Sequence, residues 1–218
     1  MIRVAYGGFS MRRYVSGLIA ASAILSAPAT ATIFADNFDG YSATSQEHWD
    51  GSGQWATANS VDLVKSGDYS LTCASAAGSC VDLSGTSAGF MTTTLNLAAG
   101  TYLLSFDYTG NQLGSQYPTA NFQVTAGSLD TTIGPLASTS AIFTTYAGLF
   151  SVGSTGPVAL TFRQLAGGAP FRGSITDNVA LSAVPEPAAW AMMLTGFSVI
   201  GMTLRRRSRN RFSRIAFA

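Results

Sequence analysis

Apolar and polar residues alternate with a period of two through the middle of this chain. Tyr102, Leu104, Phe106 and Tyr108 alternate with Leu103, Ser105, Asp107 and Thr109. Phe122 and Val124 alternate with Gln123 and Thr125, and Val158, Leu160 and Phe162 with Ala159, Thr161 and Arg163. Successive side chains of a strand point to opposite faces, so the pattern predicts half-buried strands. Shorter extended segments flank them. They are Ile33–Tyr41, running into an acidic turn, the residues after Gly51-Ser52-Gly53-Gln54-Trp55, and Val61–Val64. Tyr69–Cys73 and Cys80–Leu83 flank a small-residue loop, and Thr-rich Ala88–Leu97 and Ile142–Val152 follow. A closing strand carries Ile175, Val179 and Leu181. Nine or ten short strands with turn residues between them predict an all-β, antiparallel β-sandwich. No long helix is expected before residue 188, and no fixed-period repeat is present.

Both ends break the pattern. Arg12-Arg13-Tyr14 precedes apolar Val15–Leu25, and Ala29-Thr30-Ala31 follows. A basic segment, a short apolar segment and an A-x-A site together describe a secretory signal peptide over 1–31, as a short signal helix, with Met11 as an alternative start. At the other end Pro185-Glu186-Pro187 stops the ectodomain, and Ala188–Leu204 carries no charge before Arg205-Arg206-Arg207. Seventeen residues at about 1.5 Å each reach about 25 Å, enough for a thin bilayer with snorkelling arginines. One C-terminal transmembrane helix over 188–204 is therefore expected, with the basic cluster 205–214 held in the cytoplasm. The ectodomain, residues 32–183, then lies on the far side of the membrane.

This tail resembles the PEP-CTERM sorting signal of Gram-negative bacteria, in its PEPxxWAMMxxGF form, over residues 184–211. Pro185, Glu186, Pro187, Trp190, Ala191, Met192, Met193, Gly196, Phe197 and Gly201 stand where that pattern requires them, followed by Arg205, Arg206 and Arg207. The chain departs from the pattern by continuing from Ser208 to Ala218. The resemblance implies an inner-membrane precursor, processing by an exosortase near the Pro-Glu-Pro, and a mature form at the cell surface or outside the cell.

Charge then separates ends from middle. The whole chain sums to +1, but between Thr32 and Ala183 only Lys65, Arg163 and Arg172 stand against ten carboxylates, a net of −7. Such a module repels nucleic acid, whose phosphates need Lys and Arg. It is compatible with cations or neutral glycans. Within it, Asp36-Asn37-Phe38-Asp39, Trp55, Cys80–Leu83, Gly100–Asn111 and Asp177–Leu181 resemble, in order and type, secreted jelly-roll domains of the carbohydrate-binding, galactose-binding-like kind. That likeness implies a jelly-roll ectodomain and a glycan, such as an exopolysaccharide of a biofilm, as ligand.

Cys73 and Cys80 are the only cysteines. In an exported chain they are expected to pair as a disulfide. Asp177 falls in phase with apolar Ile175, Val179 and Leu181, and a carboxylate facing inward must be answered. A bulge turns it out, Arg163 or Arg172 pairs with it, or a hard cation sits there. Jelly-roll modules of this type often carry a structural Ca²⁺ near their termini, and Asp36, Asp39 and Asp177 form the candidate set here. Trp49 and Tyr117 stand in polar stretches and are the candidate sugar-stacking residues. Trp55 and Tyr108 sit in strand phase and are expected in the core, and Asn111 and Gln112 are polar candidates. His48 is the only histidine, and no Gly-x-Ser-x-Gly, His-Glu-x-x-His or phosphate-binding glycine loop occurs. The expectation is a non-catalytic surface or matrix protein. The alternative is a small polysaccharide-active enzyme working with Asp carboxylates, as glycosidases work with two.

Overall fold

A computed structural model describes residues 31–114, 119–139, 141–165, 172–185 and 187–212, with backbone alone for 187–190 and 207–212. Two antiparallel sheets face one another. The first contains β1 (Thr32–Asp36), β3 (Asp62–Lys65), β4 (Ser79–Asp82), β6 (Gly100–Thr109), β9 (Thr144–Val152) and β11 (Ile175–Val184). Their order is β3-β4-β11-β6-β9, with β1 also paired to β11. The second sheet contains β2 (Ala56–Ala58), β5 (Phe90–Leu97), β7 (Ala120–Ala126), β8 (Leu129–Leu136) and β10 (Gly156–Gln164), in the order β2-β5-β10-β7-β8.

The period-two residues meet between the sheets as expected. Leu63, Val81, Leu104, Phe106, Val179 and Leu181 from the first sheet pack with Met91, Phe122, Val124, Leu160 and Phe162 from the second. Phe106 meets Phe162 edge-on at 4.9 Å, joining the two layers. Each such buried ring contributes about 1.5–3 kcal/mol by leaving water. Trp55 lies in this core as its phase required, and Tyr108 packs against it from a partly buried position.

Three elements differ from expectation. β8 is a strand that the pattern does not announce. Gly134 and Pro135 interrupt it and only Ile133 is buried, which an edge strand tolerates because one side needs no partner. Tyr69–Cys73 forms no strand. Asp68–Ser70 form a short 3₁₀ turn, in which Tyr69 (φ 50°) and Ser70 (φ 63°) are left-handed. The closing strand β11 changes phase. Its pairing with β6 shifts between Asp177 and Ala180, with Asn178 left-handed at φ 49°. Ile175 therefore faces outward into a second apolar cluster, whereas Val179 and Leu181 face the main core.

That second cluster contains Val64, Leu71, Cys73, Cys80 and Ile175, with Leu113 and Phe143 against it. Val64 alternates with core residue Leu63, and Cys80 with core residue Val81, so the cluster lies on the outer face of the first sheet. Segment 66–78, the long β3–β4 connection, covers that face. The expected disulfide is present: Cys73 and Cys80 are bonded, with Cα atoms 5.5 Å apart.

The last described element is α1 (Pro187–Phe212), a helix that begins at the second proline of the Pro-Glu-Pro. Its residues 191–206 are all exposed. The expected transmembrane span at 188–204 is not borne out, because among the described residues no helix is long and apolar enough to cross a membrane. Thr195, Gly196, Ser198, Gly201 and Thr203 dilute the apolar run, and Arg205 ends it. The signal segment 1–30 and Glu186 lie outside the described residues.

Candidate functional site

At the edge of segment 66–78 the first sheet opens into a cleft of about 340 Å³. Val64, Leu71 and Leu113 form an apolar floor, Asp62 and Asp82 a wall, and Glu47, Tyr69, Ser70 and Arg172 the rim. Asp62 and Asp82 are direct cross-strand partners on β3 and β4. Such partners have Cβ atoms about 4.5–5.5 Å apart, and two like charges there repel. The strand phase explains both. Leu63 and Val81 must face the main core, which sends their neighbours to the outer face.

Backbone amides hold one oxygen of each carboxylate. His48 N–H donates to Asp62 Oδ1 at 2.8 Å. Ser84 and Gly173 N–H donate to Asp82 Oδ1 at 2.8 and 3.1 Å. A Cβ on Gly173 would strike that same Oδ1, so only glycine permits the approach. Asp82 is 3% exposed and Asp62 7%. Burial pushes Asp82 up to about 7, with the Asp62 charge adding and the two amides opposing. Burial also raises Asp62, opposed by the His48 amide.

Tyr69 is the exposed aromatic of this cleft, at 56%. Its left-handed backbone turns the ring outward, and its hydroxyl donates to Glu47 Oε1 at 3.3 Å. The segment carrying it is pinned at several points. Thr72 N–H donates to Gln112 Oε1 at 2.9 Å, and Gln112 Nε2 returns a bond to Thr72 O at 2.7 Å. Ser79 N–H donates to Asp39 Oδ1 at 2.7 Å, and Ala74 N–H to Asp177 Oδ2 at 3.0 Å. The exposed ring therefore sits on a braced loop.

The residues singled out in the sequence are placed differently. Trp49 corrects an expectation: it is 2% exposed, edge-on to Phe38 at 6.1 Å and against Tyr41 at 5.1 Å. Its indole N–H donates to Ser52 Oγ. A ring with covered faces has none to offer a sugar. Tyr117 lies outside the described residues. Gln112 braces the loop and Asn111 is buried. His48 is exposed, with Nε2 3.3 Å from Thr86 Oγ1.

Asp36, Asp39 and Asp177 have separate duties. Asp36 accepts from the Tyr41 hydroxyl, the Trp55 indole and the Phe38 amide. Asp39 holds Ser79. Asp177, fully buried, accepts from Ala74 and Asn178 amides, so backbone N–H groups answer its charge rather than either arginine. Burial still pushes it up to about 7, with the charges of Asp39 and Asp107 adding. Among the described residues no group of three or more His, Cys, Asp or Glu side chains is arranged to hold a metal ion.

Asp62, Asp82, Glu47 and Tyr69 were not singled out by sequence reasoning. A signal existed for the first two: Asp62-Leu63-Val64 and Cys80-Val81-Asp82 put each Asp in phase with an outward-facing apolar partner. Only the register brings them together.

No family profile matches the chain, and no curated protein matches it. Among solved structures it is similar to the CBM22-1 xylan-binding domain of Paenibacillus barcinonensis Xyn10C, at 9% identity over 74% of this chain and 99% of that one, TM-score 0.47. It is also similar to a family 35 carbohydrate-binding module of Clostridium thermocellum, at 12% identity over 65% of this chain and 100% of that one, TM-score 0.41. A third similarity is to an exo-β-1,3-galactanase of Phanerochaete chrysosporium, at 15% identity over 63% of this chain and 28% of that one, TM-score 0.38.

Proposed function

We propose that this chain is an exported, non-catalytic glycan-binding protein whose sandwich holds a polysaccharide at the cell surface or in the extracellular matrix. The observation that carries the reading is the Tyr69 ring, exposed on a braced loop beside an apolar floor and two inward carboxylates. A sugar offers an apolar C–H face to such a ring and hydroxyl donors to such carboxylates. The tail Pro185-Glu186-Pro187, Trp190, Ala191 and Arg205–Arg207 supports export and exosortase processing through its resemblance alone, and the exopolysaccharide partner follows from the jelly-roll likeness of the ectodomain. Structural Ca²⁺ is no part of the reading, given the separate duties of Asp36, Asp39 and Asp177.

The second reading, a polysaccharide-active enzyme, draws on one observation: Asp82 is pushed up to about 7 opposite Asp62. A carboxyl raised in this way can keep its proton near neutral pH and serve as a general acid beside a second carboxylate. Asp107 and Asp177 are poorer candidates. Asp177 braces the 66–78 segment, and Asp107 accepts from Thr145 Oγ1 and Asn178 Nδ2. A glycan array on the full chain, run beside a reducing-sugar release assay on the glycans it retains, separates the two. Retention without release supports the binding reading. Release that Asp82→Asn removes without unfolding the chain supports the enzyme.

A further inference from the structure

The carboxylates of the cleft are only half used. Oδ1 of Asp62 and Oδ1 of Asp82 each accept backbone N–H bonds. Among the described residues no donor reaches the Oδ2 of either. Both side chains are more than nine-tenths buried, yet both line the cleft. Neither Oδ2 is among the buried atoms left without a partner, so each opens to the cleft, and a cationic donor arriving there answers the two charges best. Glu47 adds a third carboxylate at the rim, where Arg172 is the one cation among the described lining residues.

From this geometry we infer that the cleft selects a sugar bearing a free amine, a glucosamine-like residue, over its N-acetylated, neutral or uronic counterparts. The inference rests on the glycan-binding reading and names the ligand class of that same site. The pyranose lies on Tyr69 and the apolar floor, and its ammonium donates to Asp62 Oδ2 and Asp82 Oδ2. An ammonium is a compact charge with three donors, which suits two carboxylates on directly paired strand positions. An N-acetyl group removes the charge. A uronate brings a further negative charge against the three carboxylates of the cleft, which is a rejection built into the site.

Calorimetry of the full chain with a glucosamine tetramer, its N-acetylated form, a neutral glucose tetramer and a uronate tetramer tests this. The expected result is at least tenfold tighter binding of the amine form than of the N-acetylated and neutral forms, and no uronate binding. Asp62→Asn keeps the acceptor for His48 and loses the charge, so it should erase the amine preference while N-acetylated binding persists. Glu47→Gln, at the exposed rim, should weaken the preference if Asp62→Asn does not fold. Asp130→Asn, on the second sheet, should leave the preference unchanged, and a loss there would reveal general attraction to an acidic protein. Equal binding of the amine, N-acetylated and neutral tetramers overturns the amine selection alone. Failure of every tetramer to bind overturns the glycan-binding reading beneath it.

Discussion

The Ala74 amide donates to Asp177 Oδ2 at 3.0 Å, joining residues 103 apart in sequence. It fastens the 66–78 segment to the closing strand β11, and with the Cys73–Cys80 bond and the Gln112–Thr72 pair it fixes where Tyr69 stands. Asp177→Ala leaves two amides without their acceptor, a loss worth about 1–3 kcal/mol. Denaturant unfolding should show that loss, and hydrogen exchange should show faster opening over 66–78 than over β5 or β10. Unchanged protection over that segment would mean the bond braces nothing.

Stability should depend on pH in an unusual direction. Burial pushes Asp82 and Asp177 each up to about 7 from an ordinary 3.8. Between about 4 and 7 the folded chain therefore binds more protons than the unfolded one, and stability falls as pH rises through that window. Above about 7 the loss is complete. At about 1.4 kcal/mol per unit, the shifts of these two buried groups are worth about 2 kcal/mol or more, which lowers the melting temperature by roughly 4 °C or more. Differential scanning calorimetry should give a higher melting temperature at pH 5 than at pH 8, and Asp82→Asn should reduce the difference to the part that Asp177 supplies.

Cys73 and Cys80 should yield no reactive thiol in the untreated protein and two after reduction, read by alkylation and intact mass. Replacing both with alanine removes a short loop closure worth about 2 kcal/mol and loosens the loop that carries Tyr69. Glycan binding should weaken together with stability.

Trp49 and Tyr69 should separate core from site. Trp49→Ala leaves a cavity among Phe38 and Tyr41 and should cost about 3–5 kcal/mol. Tyr69→Ala removes an exposed ring and its long 3.3 Å bond to exposed Glu47, and should leave the melting temperature within about 1 °C, since exposed positions contribute little. If Trp49→Ala were harmless, its place in the core would be wrong.

The sandwich was legible because its strongest strands, β6, β7 and β10, alternate cleanly and bury the alternate residues. β8 was not, since Gly134 and Pro135 obscure a strand that only its edge position permits. The site was less legible. Trp49 stands among polar neighbours, yet it packs inward, because the left-handed residues His48 and Ser52 fold that loop back on itself. Tyr69 points outward for the corresponding reason: its own left-handed backbone breaks the extended pattern that Tyr69–Cys73 suggested. Asp177 shared a phase with Val179 and Leu181 in sequence, and one bulge at Asn178 put it on the other face. Pairing register and left-handed residues decide these placements, and neither has a period that a single sequence displays.

Tyr69 and the cleft beside it are proposed to hold a glycan without cleaving it. The most direct measurement is the glycan-array profile of the full chain against that of Tyr69→Ala, both confirmed folded by their melting curves. Covering the ring with a sugar's apolar C–H face removes area from water at about 25 cal/mol per Å², so at least tenfold weaker retention is expected for the variant, with no reducing sugar released by either protein. An unchanged profile in the folded variant, or sugar release by the parent chain, would contradict the account.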